Sequence, residues 1–274
     1  MRWDPAAEVT AAEAMDFWAF AAGAANVIMQ LSWPEVGHGV VESKVDSGNL
    51  LKHPWKRART TFQYLAVAIL GRPRDRAAFR EAVNSSHRQV KSTPDSPIRY
   101  NAFDRELQMW LAACLFIGLE DTYQLLRGEM TAEQAEQFYR SAWTLGTTLQ
   151  VTEDQWPTTR ADFDLYWNDA CRRVAIDDQV RAYLQDLLSL QMINPALALP
   201  FRPLLKFLTV GFLAPVFRDA MGVQCSGFKQ RQFERLFLLV AFVNRFLPVF
   251  IRQGSSYVLL ADARRRVRDH RALV

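Results

Sequence analysis

Apolar residues in this chain recur at three- and four-residue spacing almost from end to end, and no run alternates polar and apolar between hairpin turns. The first spacing stacks side chains along one face of a helix, whereas a half-buried strand needs a period of two. The expected fold is therefore all-α, about nine to ten helices in a single domain over residues 1–274. Hydrophobic residues fill 50% of the 274 positions, enough for a sizeable core. No internal repeat or low-complexity tract subdivides the chain.

Local signals punctuate the helices. Thr10-x-x-Glu13 reads as a capping box opening a helix that runs to about Leu31, whose Ala21, Ala22, Gly23, Ala24 and Ala25 admit close approach of another helix or a flat cofactor. Glu35 to Pro54 holds Gly37, Gly39, Ser47 and Gly48 and reads as a long loop with one turn of helix at most. A helix from Trp55 to Leu70 stops at Gly71 with Pro73 beyond, and the helix of His87 follows. Asp104 caps a long apolar helix ending at Gly128, and Thr131-x-x-Gln134 opens the next. Further helices are expected over 159–174, 177–192, 203–221, 226–246 and 257–268.

Several function classes lose support. The formal charge of +4 comes from scattered basic residues apart from Arg264, Arg265, Arg266 and Arg268, which read as a solvated terminal helix or a headgroup-facing patch, so no nucleic-acid partner is expected. Cys114, Cys171 and Cys225 are odd in number and widely spaced, which fits a reducing cytoplasm. The opening Met1-Arg-Trp-Asp-Pro lacks signal-peptide character. Phe17 to Trp33 is uncharged but falls short of the roughly 20 residues of a spanning helix. Pro195 to Phe217, broken by prolines, predicts short helices with an exposed apolar face that lies on a bilayer or lines a lipophilic channel. GxSxG, HExxH, GxGxxG and GxxxxGK[ST] are all absent.

What chemistry the chain carries centres on His87. Phe79, Val83, His87 and Val90 share one helical stripe, so the imidazole should point inward, toward a core hydrogen bond, a substrate proton or a metal such as haem iron. On the preceding helix Arg57, Thr61, Tyr64, Leu65 and Ala68 share a stripe, and an inward arginine needs an anion such as a carboxylate or a dianionic cofactor. His38, Glu42 and Asp46 are spaced by four and line one face if their segment is helical, with Glu42 then a candidate base or proton relay. His53 sits before Pro54 at a turn, and His270 lies in the tail.

The order of three segments, "HPWKRARTTFQYLAVAILG", "HRQVKSTPDSPIRYNAFDRELQMWLAACL" and "GFLAPVFRDAMG", resembles the oxygenase family of MpaB and rubber-oxygenase catalytic domains. The similarity runs from about Ala21 to Arg252. This resemblance implies a helical fold enclosing haem b, with His87 matching the proximal iron ligand and Arg57 and Thr61 lying against the haem. It further implies a catalytic acid or base near Glu42, and Lys91, one turn beyond His87, is placed to neutralise a haem propionate. Thr60 stands where the rubber oxygenase has a distal lysine, and no histidine occurs in Leu111 to Ala113 where many relatives carry one. The function implied is oxygenation of an isoprenoid or other alkene by dioxygen. The alternative is a noncatalytic helical protein that binds lipid or a membrane surface without haem.

Overall fold

The computed structural model describes residues 8–46 and 49–274; Ser47, Gly48 and the first residues of the chain lie outside the described set. Helices α1 (Gly23–Leu31) and α2 (Pro34–Val41) precede α3 (Pro54–Leu70) and α4 (Pro73–His87). The longest helix, α5 (Arg105–Arg127), is followed by α6 (Ala132–Ser141), the single turn α7 (Thr144–Thr147), α8 (Arg160–Ala170) and α9 (Asp178–Leu188). The last third holds α10 (Pro195–Ala198), α11 (Arg202–Phe212), α12 (Pro215–Met221), α13 (Gly227–Asn244), α14 (Val249–Arg252) and α15 (Gly254–Arg268). The segments outnumber the nine to ten expected because several are one or two turns long. No strand occurs among the described residues, only an isolated bridge between Lys91 and Asn101.

Prolines set much of this segmentation. Six helices, α2, α3, α4, α10, α11 and α12, carry proline in their first two positions. There the missing N–H has no intrahelical partner to lose and φ is already helical. The helix expected over 203–221 is accordingly two, divided at Leu213 and Ala214, both extended ahead of Pro215. Elsewhere the punctuation reads as expected: Asp104 accepts from the amides of Glu106 and Leu107, Thr131 and Gln134 form a capping box, and Gly128 closes α5 at φ 93°.

Two expectations are corrected. The N-terminal helix is not continuous: 3-10 turns at Ala11–Ala14 and Phe17–Ala22 precede α1, and Thr10 makes no side-chain cap. Asp16 breaks it. Its carboxylate is buried and takes donors from Arg127 at 3.0 Å, Arg252 at 3.2 Å and Asn244 at 3.4 Å. A buried carboxylate left unpaired costs more than one helical turn contributes, so the tertiary contacts override the local signal. Second, Pro34–Val41 is helix rather than loop. Its glycines suit packing here: a Cβ on Gly37 would come within 2.8 Å of the Val180 side chain on α9.

Helix α5 runs through the middle and is buried around most of its circumference, as a helix apolar on all sides requires. One cluster of core residues packs α3, α4, α6 and α15 around its central and C-terminal turns, centred on Phe116 and Phe163. A second joins α1, α2, α9 and α12 to its first half, where Trp110 stacks on Trp33 at 4.8 Å and on Trp167 at 5.2 Å. The C-terminal arginines are internally paired: Arg264 with Asp75, Arg265 and Arg266 with Asp262, Arg268 with Asp269. No helix among the described residues is long and apolar enough to cross a membrane.

Candidate functional site

A cavity of about 270 Å³ lies between the end of the second 3-10 turn, α1, α3, α5 and α9. That is close to the lower end of small-molecule sites, about 300 Å³. Most of its wall is apolar, including Ala22, Gly23, Phe62, Leu65, Leu119 and Leu187. Small residues bring the elements together: a Cβ on Gly118 would stand 2.5 Å from Asn26 Nδ2. Asn26 itself donates to the Cys114 carbonyl at 2.6 Å and accepts from Gln30 at 2.6 Å, a polar rung inside an apolar wall.

Arg57 and Thr61, one turn apart on α3, both line this cavity. Arg57 is exposed overall and contributes to the cavity wall. It forms no ion pair or side-chain hydrogen bond among the described residues, and the protein packed around it lowers its pKa, opposed by nearby Tyr183. An arginine without a carboxylate partner at a cavity wall is available to an anion that enters there. The Thr61 hydroxyl donates back to the Arg57 carbonyl at 3.1 Å, leaving its lone pairs toward the cavity side of α3.

His87 is the last residue of α4, half-buried, with Phe103 edge-on to its ring at 6.3 Å. Its Nδ1 is buried without a hydrogen-bond partner. Burial, and secondarily the charge of Arg57, depress its pKa to about 4, so the imidazole is neutral at physiological pH. His87 does not belong to the cavity wall; it stands near enough to Arg57 to feel its charge. Lys91 lies beyond the helix end at the bridge to Asn101, exposed and also outside the wall.

Glu42 belongs to a separate polar network. His38, fully buried on α2, is bonded at both ring nitrogens, Nδ1 to Glu42 at 2.7 Å and Nε2 to Asp177 at 2.6 Å. The other Glu42 oxygen accepts from Ser96 at 2.5 Å and Tyr100 at 3.0 Å. Burial pulls the His38 pKa down, but Asp177 and Glu42 outweigh it and hold it above its ordinary value. Glu42 is held below its ordinary value, as the Ser96, His38 and Tyr100 hydrogen bonds overcome desolvation. Asp46 leaves this face and instead pairs with Lys52 at 2.9 Å and with His53, just ahead of α3, at 2.8 Å. Asp177, Asn26, Gln30 and Tyr183 escape sequence reasoning; only the Asn26/Gln30 pair, polar at four-residue spacing in an uncharged helix, leaves a trace there.

The site thus defines a helical protein with one apolar cavity wall that carries an unpaired arginine and stands beside a histidine without partners. Residues 12–242 match the family described as ER-bound oxygenase mpaB/B'/rubber oxygenase, catalytic domain, and the chain belongs to that oxygenase family. An uncharacterized protein of Mycobacterium tuberculosis is 46% identical over 255 residues, covering 92% of this chain and 98% of the relative. An uncharacterized protein of Mycobacterium bovis matches with the same identity and coverage. No solved structure matches the chain. Arg218, in the late segment of the resemblance, ties three helices together: it donates to the Val210 and Gly211 carbonyls of α11 and to Gln230 of α13.

Two observations bear on the haem that the family resemblance implies. His87 Nδ1 is buried without a hydrogen bond and would be open to iron, and Arg57 lines the cavity without an acidic partner and would meet a carboxylate.

Proposed function

We propose that this chain is a haem b-dependent oxygenase acting on a lipophilic, isoprenoid or other alkene-like substrate, with His87 as the axial iron ligand, in one domain over residues 1–274. The observation that carries this is the buried His87 Nδ1 without a hydrogen bond, since a structural core histidine is normally satisfied. Haem b, when bound, supplies the iron at which dioxygen is activated.

The chain's own residues would divide the remaining work. His87, kept neutral by burial, offers a nitrogen lone pair. Arg57, which lines the cavity, is the better anchor for a propionate than Lys91, which does not. Thr61 orients a polar group within the cavity, and the aliphatic wall excludes water from a lipophilic substrate. Glu42 is the proton-handling carboxylate; through His38 it connects to Asp177, whose side chain is half exposed, so a proton has a route to solvent. Exposed Leu197, Leu199, Phe201 and Leu204 support peripheral membrane contact through residues 195–217, from the cytoplasmic side.

A second reading, a lipid-binding protein without haem chemistry, draws on the apolar wall and on the place of His87 outside it. An absorption spectrum separates the two. Protein supplemented with haem should give a Soret band that is lost or shifted in His87→Ala; no band, or an identical band in the variant, sinks the haem assignment.

A further inference from the structure

The turn and helices at the end of α13 expose a run of large apolar side chains. Leu239 and Phe242 lie on α13, Phe246 just past its end has its ring 5.2 Å from that of Phe242, and Val249 and Phe250 of α14 follow Pro248. These side chains are exposed, Phe246 at 70% and Phe250 at 74%. A contiguous apolar ridge of this kind marks an interaction surface. Its charge is predominantly basic: after exposed Glu234 no acid occurs from Arg235 to Arg252, and the exposed Arg235 and Arg245 form no ion pair among the described residues. Neighbouring α11, whose Phe212 packs on Phe233 and Phe237, also exposes Phe201 and Leu204, while its Leu205 lines the cavity.

We infer that the ridge formed by α13 and α14 is a bilayer-docking surface for anionic lipid. A second copy meeting the same ridge across a two-fold axis would bring two exposed arginines from each copy against a single exposed acid, Glu234, leaving a net positive rim on both sides. Anionic headgroups satisfy those arginines while the aromatic stripe enters the acyl boundary. Docked this way, the chain sets an apolar surface on the helix neighbouring the cavity wall. The inference does not depend on haem.

The test is cosedimentation of the full chain with vesicles of phosphatidylcholine alone and of phosphatidylcholine mixed with phosphatidylglycerol. Wild type should pellet with the anionic vesicles and much less with the neutral ones. The double variant Phe246→Ser/Phe250→Ser should lose about tenfold or more in partition. Arg235→Gln and Arg245→Gln should each weaken anionic binding about fivefold and leave neutral binding alone. All four positions are exposed, so circular dichroism should be unchanged. Failure to pellet with either vesicle, or wild-type partition in the double phenylalanine variant, overturns the inference. So does a dimer in light scattering that the same variant converts to monomer.

Discussion

His38 and His87 are both withdrawn from solvent beside a helix C-terminus, and they differ in every other respect. His38 is bonded at both nitrogens to carboxylates, which hold it toward the charged form. His87 has no hydrogen bond, and burial beside Arg57 holds it neutral. Most buried polar groups are hydrogen-bonded within the fold, and one that is not is open to water or to a group from outside the chain. One imidazole is thus fixed by the fold at both nitrogens and the other at neither, and variants at each should separate stability from cofactor binding.

The largest effect expected is at His87. His87→Ala should abolish haem binding in a Soret titration while the thermal melt of the cofactor-free protein moves little, within about 1 kcal/mol, because the imidazole is unbonded at its buried nitrogen and meets the Phe103 ring only edge-on. His38→Ala should do the reverse. Removing the imidazole leaves Glu42 and Asp177 without their shared donor and should destabilise by about 2–3 kcal/mol in chemical denaturation, with the haem spectrum of the folded fraction intact. Equal effects of both variants on both measurements would erase the contrast.

The contrast also has a pH signature. The raised pKa of His38 contributes stability that is fully present below its unfolded value, about 6.5, and is lost as pH rises through the higher folded value. Wild type should therefore lose melting temperature on that alkaline flank more steeply than His38→Ala does. Arg57 separates the two measurements in another way. The residue is exposed and forms no ion pair, so Arg57→Leu should leave the melt of the cofactor-free protein within about 0.5 kcal/mol while weakening haem binding roughly tenfold.

Local chemistry was legible and long-range pairing was not. Asp104, Gly128, Thr131 and Gln134 announce helix ends through their own side chains and dihedrals, and the structure uses each of them. Arg57 and Thr61 were legible as a pair because one helical turn joins them, and both reach the cavity wall. By contrast, Asp16 ends the N-terminal helix for the sake of Arg127, Asn244 and Arg252, all more than a hundred residues away. The partner of His38 is likewise 139 residues distant, so spacing exposed Glu42 and hid Asp177. Gly37 and Gly39 read as loop because their lack of side chains is ambiguous until α9 is seen lying against Gly37.

The smallest prediction probes how the satisfied network sets Glu42. Tyr100 donates to Glu42 at 3.0 Å, beside the firmer contacts from Ser96 and His38. Tyr100→Phe removes one donor and keeps the buried ring, so the cost should be about 1 kcal/mol. Because that donor helps hold the Glu42 carboxylate below its ordinary pKa, losing it should raise the value. Glu42 contributes stability above its unfolded pKa that is lost as pH falls through the folded one. In the variant that loss should begin at higher pH, moving the acid flank of the melting curve upward. An unmoved acid flank would mean that His38 and Ser96 alone set the charge of Glu42, and that the network tolerates one missing donor where the surroundings of His87 supply none.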